Sequence, residues 1–87
     1  MKSWRTVAFK RAFARLPKAV KRQARQAYRT FTNDPSHPGL QFKKVHASRP
    51  IYSVRIGLGY RALGTKTGDD IVWFWIGSHA EYDRLTS

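Results

Sequence analysis

Eighty-seven residues carry 17 Lys and Arg against five Asp and Glu, a formal charge of +12 on one small domain spanning residues 1–87. The absence of cysteine excludes disulfides and thiolate metal sites, and no apolar run reaches the ~18 residues of a membrane span. The charge exceeds the magnitude of roughly 2 to 8 that keeps a small domain soluble, so a polyanionic partner is expected, nucleic acid first and an acidic protein second.

The N-terminal stretch MKSWRTVAFKRAFARL is basic but lacks the continuous apolar segment of a signal peptide, so a cytoplasmic location is expected. Ten of the 17 basic residues lie within residues 2–29, and the first acid is Asp34. A short strand is readable at Ser3 to Val7. Phe9, Ala12, Phe13 and Leu16 then recur at i, i+3, i+4 and i+7, one apolar stripe of a helix. Pro17 stops that helix and suits the first turn of the next. From Lys18 to Phe31 the apolar positions Val20, Ala24, Ala27, Tyr28 and Phe31 again share one face. Lys18, Lys21, Arg22, Arg25 and Arg29 occupy the remainder and form a basic outer surface suited to RNA phosphates.

TNDPSHPG, residues 32–39, is dense in turn formers and ends the helical half. Four strands are expected after it, at Leu40 to Val45, Ile51 to Gly57, Tyr60 to Thr65 and Ile71 to Ile76, with hairpin turns at GLG and TKTGDD. Ser78 is placed to cap a short C-terminal helix. Short connections favour antiparallel pairing. The expected architecture is α+β: an N-terminal helical hairpin packed on a mainly antiparallel, twisted, four-stranded sheet, with a short terminal helix.

Alternation in IYSVRIG puts Tyr52, Val54 and Ile56 on one face and Ser53 and Arg55 on the other. Extending that period to the last strand turns Val72, Phe74 and Ile76 inward and leaves Trp73 and Trp75 beside Arg55 on an open face. Such a face suits RNA, since indoles stack on bases and guanidinium groups hold phosphates. The competing reading buries both tryptophans in a sheet covered on each side.

The acids, Asp34, Asp69, Asp70, Glu81 and Asp83, make no carboxylate cluster, and His37, His46 and His79 lack metal-ligand spacing. No metal or cofactor is therefore expected. RNA cleavage without a metal needs a base for the 2′-hydroxyl, cations for the phosphorane and an acid for the leaving oxygen. His79, Tyr82, Arg55 and Arg61 supply such groups near strand ends, with Lys43, Lys44 and His46 in the preceding segment. The plainer alternatives are a structural His79, an Arg61 paired with Asp83, and a Tyr82 that only packs the last helix.

The order of elements, with LP at residues 16–17, NDPSHPGLQFKKV, IYSVRIGLGYRALG and WFWIGSHAEYDRL, resembles the RelE/ParE superfamily of bacterial type II toxins over nearly the whole chain. The resemblance implies a cognate antitoxin with an acidic or amphipathic segment. For the RelE-like branch it also implies ribosome-dependent endoribonuclease action on mRNA without a metal. Arg61 of GYRAL matches that branch's transition-state arginine, and Arg55 falls where a strand cation contacts phosphate. His79 resembles the C-terminal histidine of YafQ- and YoeB-like members, and Tyr82 the nearby aromatic. Lys43, Lys44 and His46 lie in the segment that lends further basic groups; the glutamate base of some members has no clear counterpart. The ParE-like branch shares the fold but inhibits DNA gyrase and lacks the catalytic set. A non-catalytic basic module binding RNA or an antitoxin is the remaining alternative.

Overall fold

A computed structural model describes residues 2–86. The elements run β1 (Ser3–Arg5), α1 (Val7–Ala14), α2 (Lys18–Asn33), a 3₁₀ turn (Pro38–Leu40), β2 (Lys43–Lys44), β3 (Ile51–Ile56), β4 (Tyr60–Thr67), β5 (Asp70–Ser78) and α3 (His79–Thr86). The strands form one mixed sheet in the order β1-β5-β4-β3-β2. The expected α+β class holds, with one strand more than four. The fifth strand, β1, pairs in parallel with β5, Ser3 facing Ile71 and Arg5 facing Trp73. No described helix is long and apolar enough to cross a membrane.

Both predicted helical stripes pack on the core, except that Tyr28, expected on the apolar face, stands 41 % exposed. Thr6 caps α1 by accepting the Phe9 N–H on its hydroxyl at 3.1 Å. Phe9, Ala12, Phe13 and Leu16 lie half-buried against the core, and Val20, Ala24 and Phe31 of α2 are fully buried. The Phe31 ring meets Trp73 and Phe42 edge-on, at 5.3 and 5.1 Å between centroids. The outer surface of α2 works against its own helix. Lys18 and Arg22, Lys21 and Arg25, and Arg25 and Arg29 are like charges four apart, and its first turn holds no acid. Packing of the apolar face must offset that repulsion, and a bound polyanion would relieve it.

The predicted first strand, Leu40 to Val45, contracts to Lys43–Lys44. Leu40 instead closes the 3₁₀ turn and enters the core, and Gln41 adopts a left-handed conformation at φ 46°. An α2 that continues to Asn33 likewise takes two residues from the predicted turn.

The largest departure lies in β5. Ile71 and Trp73 face α1 and α2, but so does Ile76, three residues further on. The register explains it: Leu63 stands opposite Trp75, and the next residue, Gly64, stands opposite Trp73, so Phe74 is a β-bulge. An extra residue inverts the parity of everything beyond it. Trp73 is therefore a core residue, only 3 % exposed, and is not available to RNA; Val72, expected inside, is 38 % exposed. Phe74, also expected inside, lines a groove on the opposite face beside Trp75, which does stand there as expected. Gly64 makes room for this arrangement. A Cβ there would come within 2.8 Å of the Trp73 ring and 2.9 Å of Ile71.

Candidate functional site

The sheet face turned away from α1 and α2 is not open, as the sequence suggested. It carries Ser53, Arg55, Arg61, Leu63, Trp75 and Gly77, and α3 lies across one end of it. Arg55 faces Arg61 in the register of β3 and β4, and Arg61 faces Gly77 of β5. The Tyr82 ring sits 5.1 Å from the Arg61 guanidinium carbon and 5.8 Å from the centre of the His79 ring. The four residues expected to carry chemistry thus form one contiguous group.

Arg61 is the centre of this group and is only 4 % exposed. One terminal nitrogen donates to the Ser53 hydroxyl at 2.7 Å and to the Gln41 carbonyl at 3.3 Å, and the other donates to the Gln41 side-chain oxygen at 3.3 Å. Its Nε–H is buried with no partner. Burial pulls the guanidinium pKa down, Tyr82 acts against that, and the like charge of Arg55 adds to it. Among the described residues no carboxylate bonds the guanidinium. Asp83, a candidate partner on sequence, instead lies 3.6 Å from the imidazole Nε2 of His79. A desolvated cation with an orphaned donor and a like charge nearby is an arrangement completed by an anion.

The flanking groups are held by backbone. Arg55 donates its Nε–H to the Gly57 carbonyl at 2.8 Å. Gly57 takes a positive φ of 57° in the β3–β4 turn, where a Cβ would also strike Gln23 at 2.5 Å. The His79 N–H donates to the Gly59 carbonyl at 2.7 Å, tying the start of α3 to that same turn. Its ring remains exposed.

A reciprocal cap fixes the α3 entry. The Glu81 N–H donates to the Ser78 hydroxyl at 3.2 Å, and the Ser78 N–H and hydroxyl donate to the Glu81 carboxylate at 3.1 and 3.0 Å. The Ser78 backbone bond, then its hydroxyl, hold the Glu81 carboxyl below its ordinary pKa. A carboxylate lowered on folding stabilises above its unfolded value and loses that contribution as pH falls through the lowered one. Ser78→Ala is expected to cost about 1 kcal/mol and to speed amide exchange in α3 before the rest of the domain. Exchange mapped between pH 3 and 6 checks both: the deficit of Ser78→Ala should be full near pH 6 and shrink toward pH 3, where wild type loses the same contribution.

The other candidates divide. Lys43 stands in register with Ser53, on the Arg61 face, whereas Lys44 pairs with Tyr52 on the opposite face and does not join the group. His46 lies beyond β2, its Nδ1 accepting the N–H groups of Arg49 and Ser48 at 3.0 and 3.2 Å. Lys18, Arg22, Arg25 and Arg29 are exposed and Lys21 partly so, all on α2 and remote from Arg61. Sequence reasoning missed Gln41, which lies 20 residues from Arg61 with no local signal. It also missed the role of Ser53, although alternation had put Ser53 on this face. Among the described residues no cluster of three His, Cys, Asp or Glu could hold a metal ion.

A second concavity, of about 430 Å³, opens between the two N-terminal helices and the sheet. Phe9, Phe13, Tyr28 and Ile56 line it, with Arg5, Arg25 and Arg29 among its lining residues.

The profile of the ParE-like toxin domain matches residues 18–84. No curated protein sequence matches the chain. Among solved structures, it superposes on a chain of the RelB–RelE antitoxin–toxin complex from Methanococcus jannaschii with a TM-score of 0.76 and 16% identity, covering 97% of this chain and 99% of that one. YafQ from E. coli gives 0.74 and 9%, covering 93% and 96%, and isolated E. coli RelE gives 0.68 and 11%, covering 97% and 94%. At these identities the likeness is one of fold.

Proposed function

The chain belongs to the ParE-like toxin domain family, and from that premise we propose that it is a ribosome-dependent endoribonuclease, cutting mRNA through the 2′-hydroxyl without a metal. The observation that carries this reading is the buried Arg61, desolvated, lacking an anionic partner and flanked by Arg55, Tyr82 and His79. Arg61 and Arg55 would stabilise the charge that develops on the phosphorane, which is worth most where water is excluded. His79, exposed at the rim, would move a proton. Tyr82 would orient the substrate or donate a proton. Because the Tyr82 ring covers the guanidinium, the scissile phosphate would reach Arg61 only when that ring swings aside. The basic surface of α2 would hold ribosomal RNA, its like charges separated by phosphates.

The cognate antitoxin would lay an amphipathic segment into the cleft lined by Phe9, Phe13 and Tyr28, with acidic side chains meeting Arg5, Arg25 and Arg29. A second reading, a gyrase inhibitor, is favoured by the ParE-like family match and by the structural bonds that occupy Arg61.

Mapping mRNA 5′ ends after brief induction separates the two. New ends inside translated regions with wild type, absent with His79→Ala, are expected. Growth arrest with intact mRNA, unchanged by His79→Ala, would sink the nuclease and move the target to a protein.

A further inference from the structure

Beside the Arg61 group, on the same sheet face, lies a separate groove of about 430 Å³. Leu63 and Trp75 face one another on adjacent strands beneath it, and Phe74, His46, Leu85 and Thr86 also line it. We propose that this groove is a nucleobase-binding subsite, taking the base of the nucleotide next to the scissile phosphate of a single-stranded RNA. The assignment rests on the reading of Arg61 as the phosphate site.

Position is the first support. Leu63 follows Arg61 by two residues on β4, and Trp75 precedes Gly77 by two on β5. Two residues along a strand span roughly 7 Å, about one step of an unstacked nucleotide chain. A backbone whose phosphate meets Arg61 therefore has its neighbouring base over Trp75. Lys43, in register with Ser53 on the rung that carries Leu63 and Trp75, is exposed at the sheet edge for the following phosphate.

The platform is built in advance. Gly77 carries no side chain, and a Cβ there would come within 2.5 Å of Trp75 Cζ2, so the benzo edge of the indole rests against Gly77. Trp75 is half-buried, set against Gly77 and lining the groove. A rigid aromatic surface binds bases with little ordering cost.

The polar groups in the groove match the edge of a base. His46 Nδ1 is occupied by the backbone N–H groups of Arg49 and Ser48, so neutral His46 carries its proton on Nε2 and is a donor. The Thr86 hydroxyl donates to the Tyr82 carbonyl at 2.9 Å, so its oxygen is left as an acceptor. An apolar floor with one donor and one acceptor suits a nucleobase, whose edges offer both. Among the described residues no acid lines the groove to repel the phosphate chain.

The test uses a short fluorescent oligoribonucleotide, 2′-O-methylated so that it cannot be cut, and its analogue with one abasic position moved along the chain. Anisotropy is read against wild type, Trp75→Leu and His46→Ala. At one position the abasic site should weaken wild-type binding about 10-fold. Trp75→Leu should weaken the intact oligomer by a similar factor and be indifferent to the abasic site. His46→Ala, a change in an exposed loop, should cost severalfold. Salt slopes should be equal throughout, since the phosphate contacts remain. Equal binding of intact and abasic oligomers to wild type overturns the subsite, with the nuclease reading untouched, and leaves the groove to a side chain of a protein partner. No binding of the oligomer, together with intact mRNA in cells, overturns both.

Discussion

Arg61→Lys is expected to slow mRNA cleavage about 10²- to 10³-fold while the domain stays folded. Lysine keeps the positive charge but brings it as a compact point. The guanidinium reaches Ser53, the Gln41 carbonyl and the Gln41 side chain at once, and offers its Nε–H as well. An ammonium cannot span that set, and it cannot present two parallel donors to a phosphate. Arg61→Ala is the less informative change. It leaves the fully buried Ser53 hydroxyl without its guanidinium partner, at about 1–3 kcal/mol for a buried polar group, and opens a hole beneath Tyr82. Lost activity would then mix chemistry with folding. Single-turnover cleavage on programmed ribosomes, run beside thermal unfolding, separates them. A lysine variant that cuts at the wild-type rate would remove Arg61 from the reaction and leave it as a brace between β4 and the Gln41 turn.

The second large effect concerns stability. Trp73→Ala should cost about 3–5 kcal/mol, the range for emptying a buried aromatic site. A domain of this size has little more than that in total, so the variant is expected to be largely unfolded at 37 °C. The indole touches Phe31 edge-on, roofs Gly64, and donates its Nε1–H to the Ser3 hydroxyl at 3.1 Å. Its removal therefore loosens α2, β4 and β1 together. Trp73→Phe should fall between, keeping the ring contact and losing the link to β1. Urea midpoints followed by circular dichroism measure both, and a Trp73→Ala protein as stable as wild type would put the bulge in the wrong place. The two adjacent tryptophans thus part company: Trp73 holds the fold, and Trp75 faces the groove.

How much of this was legible in the sequence depends on whether the residues concerned alternate in character. In IYSVRI polar and apolar residues alternate, and the shared face of Ser53 and Arg55 could be read directly. In VWFW every position is apolar, so a period of two carries no information about which side is in. The extra residue at Phe74 left no mark in the composition. The helical stripes were plain because every gap between successive apolar turns holds at least one basic residue. Gln41 was invisible for another reason: its partner is 20 residues away, and a polar residue after a Gly-Leu pair has many equally ordinary uses. The Ser78–Glu81 cap could be half-seen, since serine three residues before glutamate is a local signature. The cover that Tyr82 lays over Arg61 could not, because it depends on where α3 docks.

The parallel pairing of β1 with β5 has a consequence for the order in which the protein comes into being. β1 is made well before β5 yet finds its place beside it, and α1 packs chiefly on that same strand. Neither can settle until residues 70–78 have emerged, so the early half waits as an exposed, highly charged chain. The group around Arg61 is subject to the same delay, since Tyr82 and His79 follow β5 directly. Assembly of both therefore waits on β5. A chain interrupted before Trp73 would have neither a finished core nor an assembled site, and premature termination would yield a harmless product.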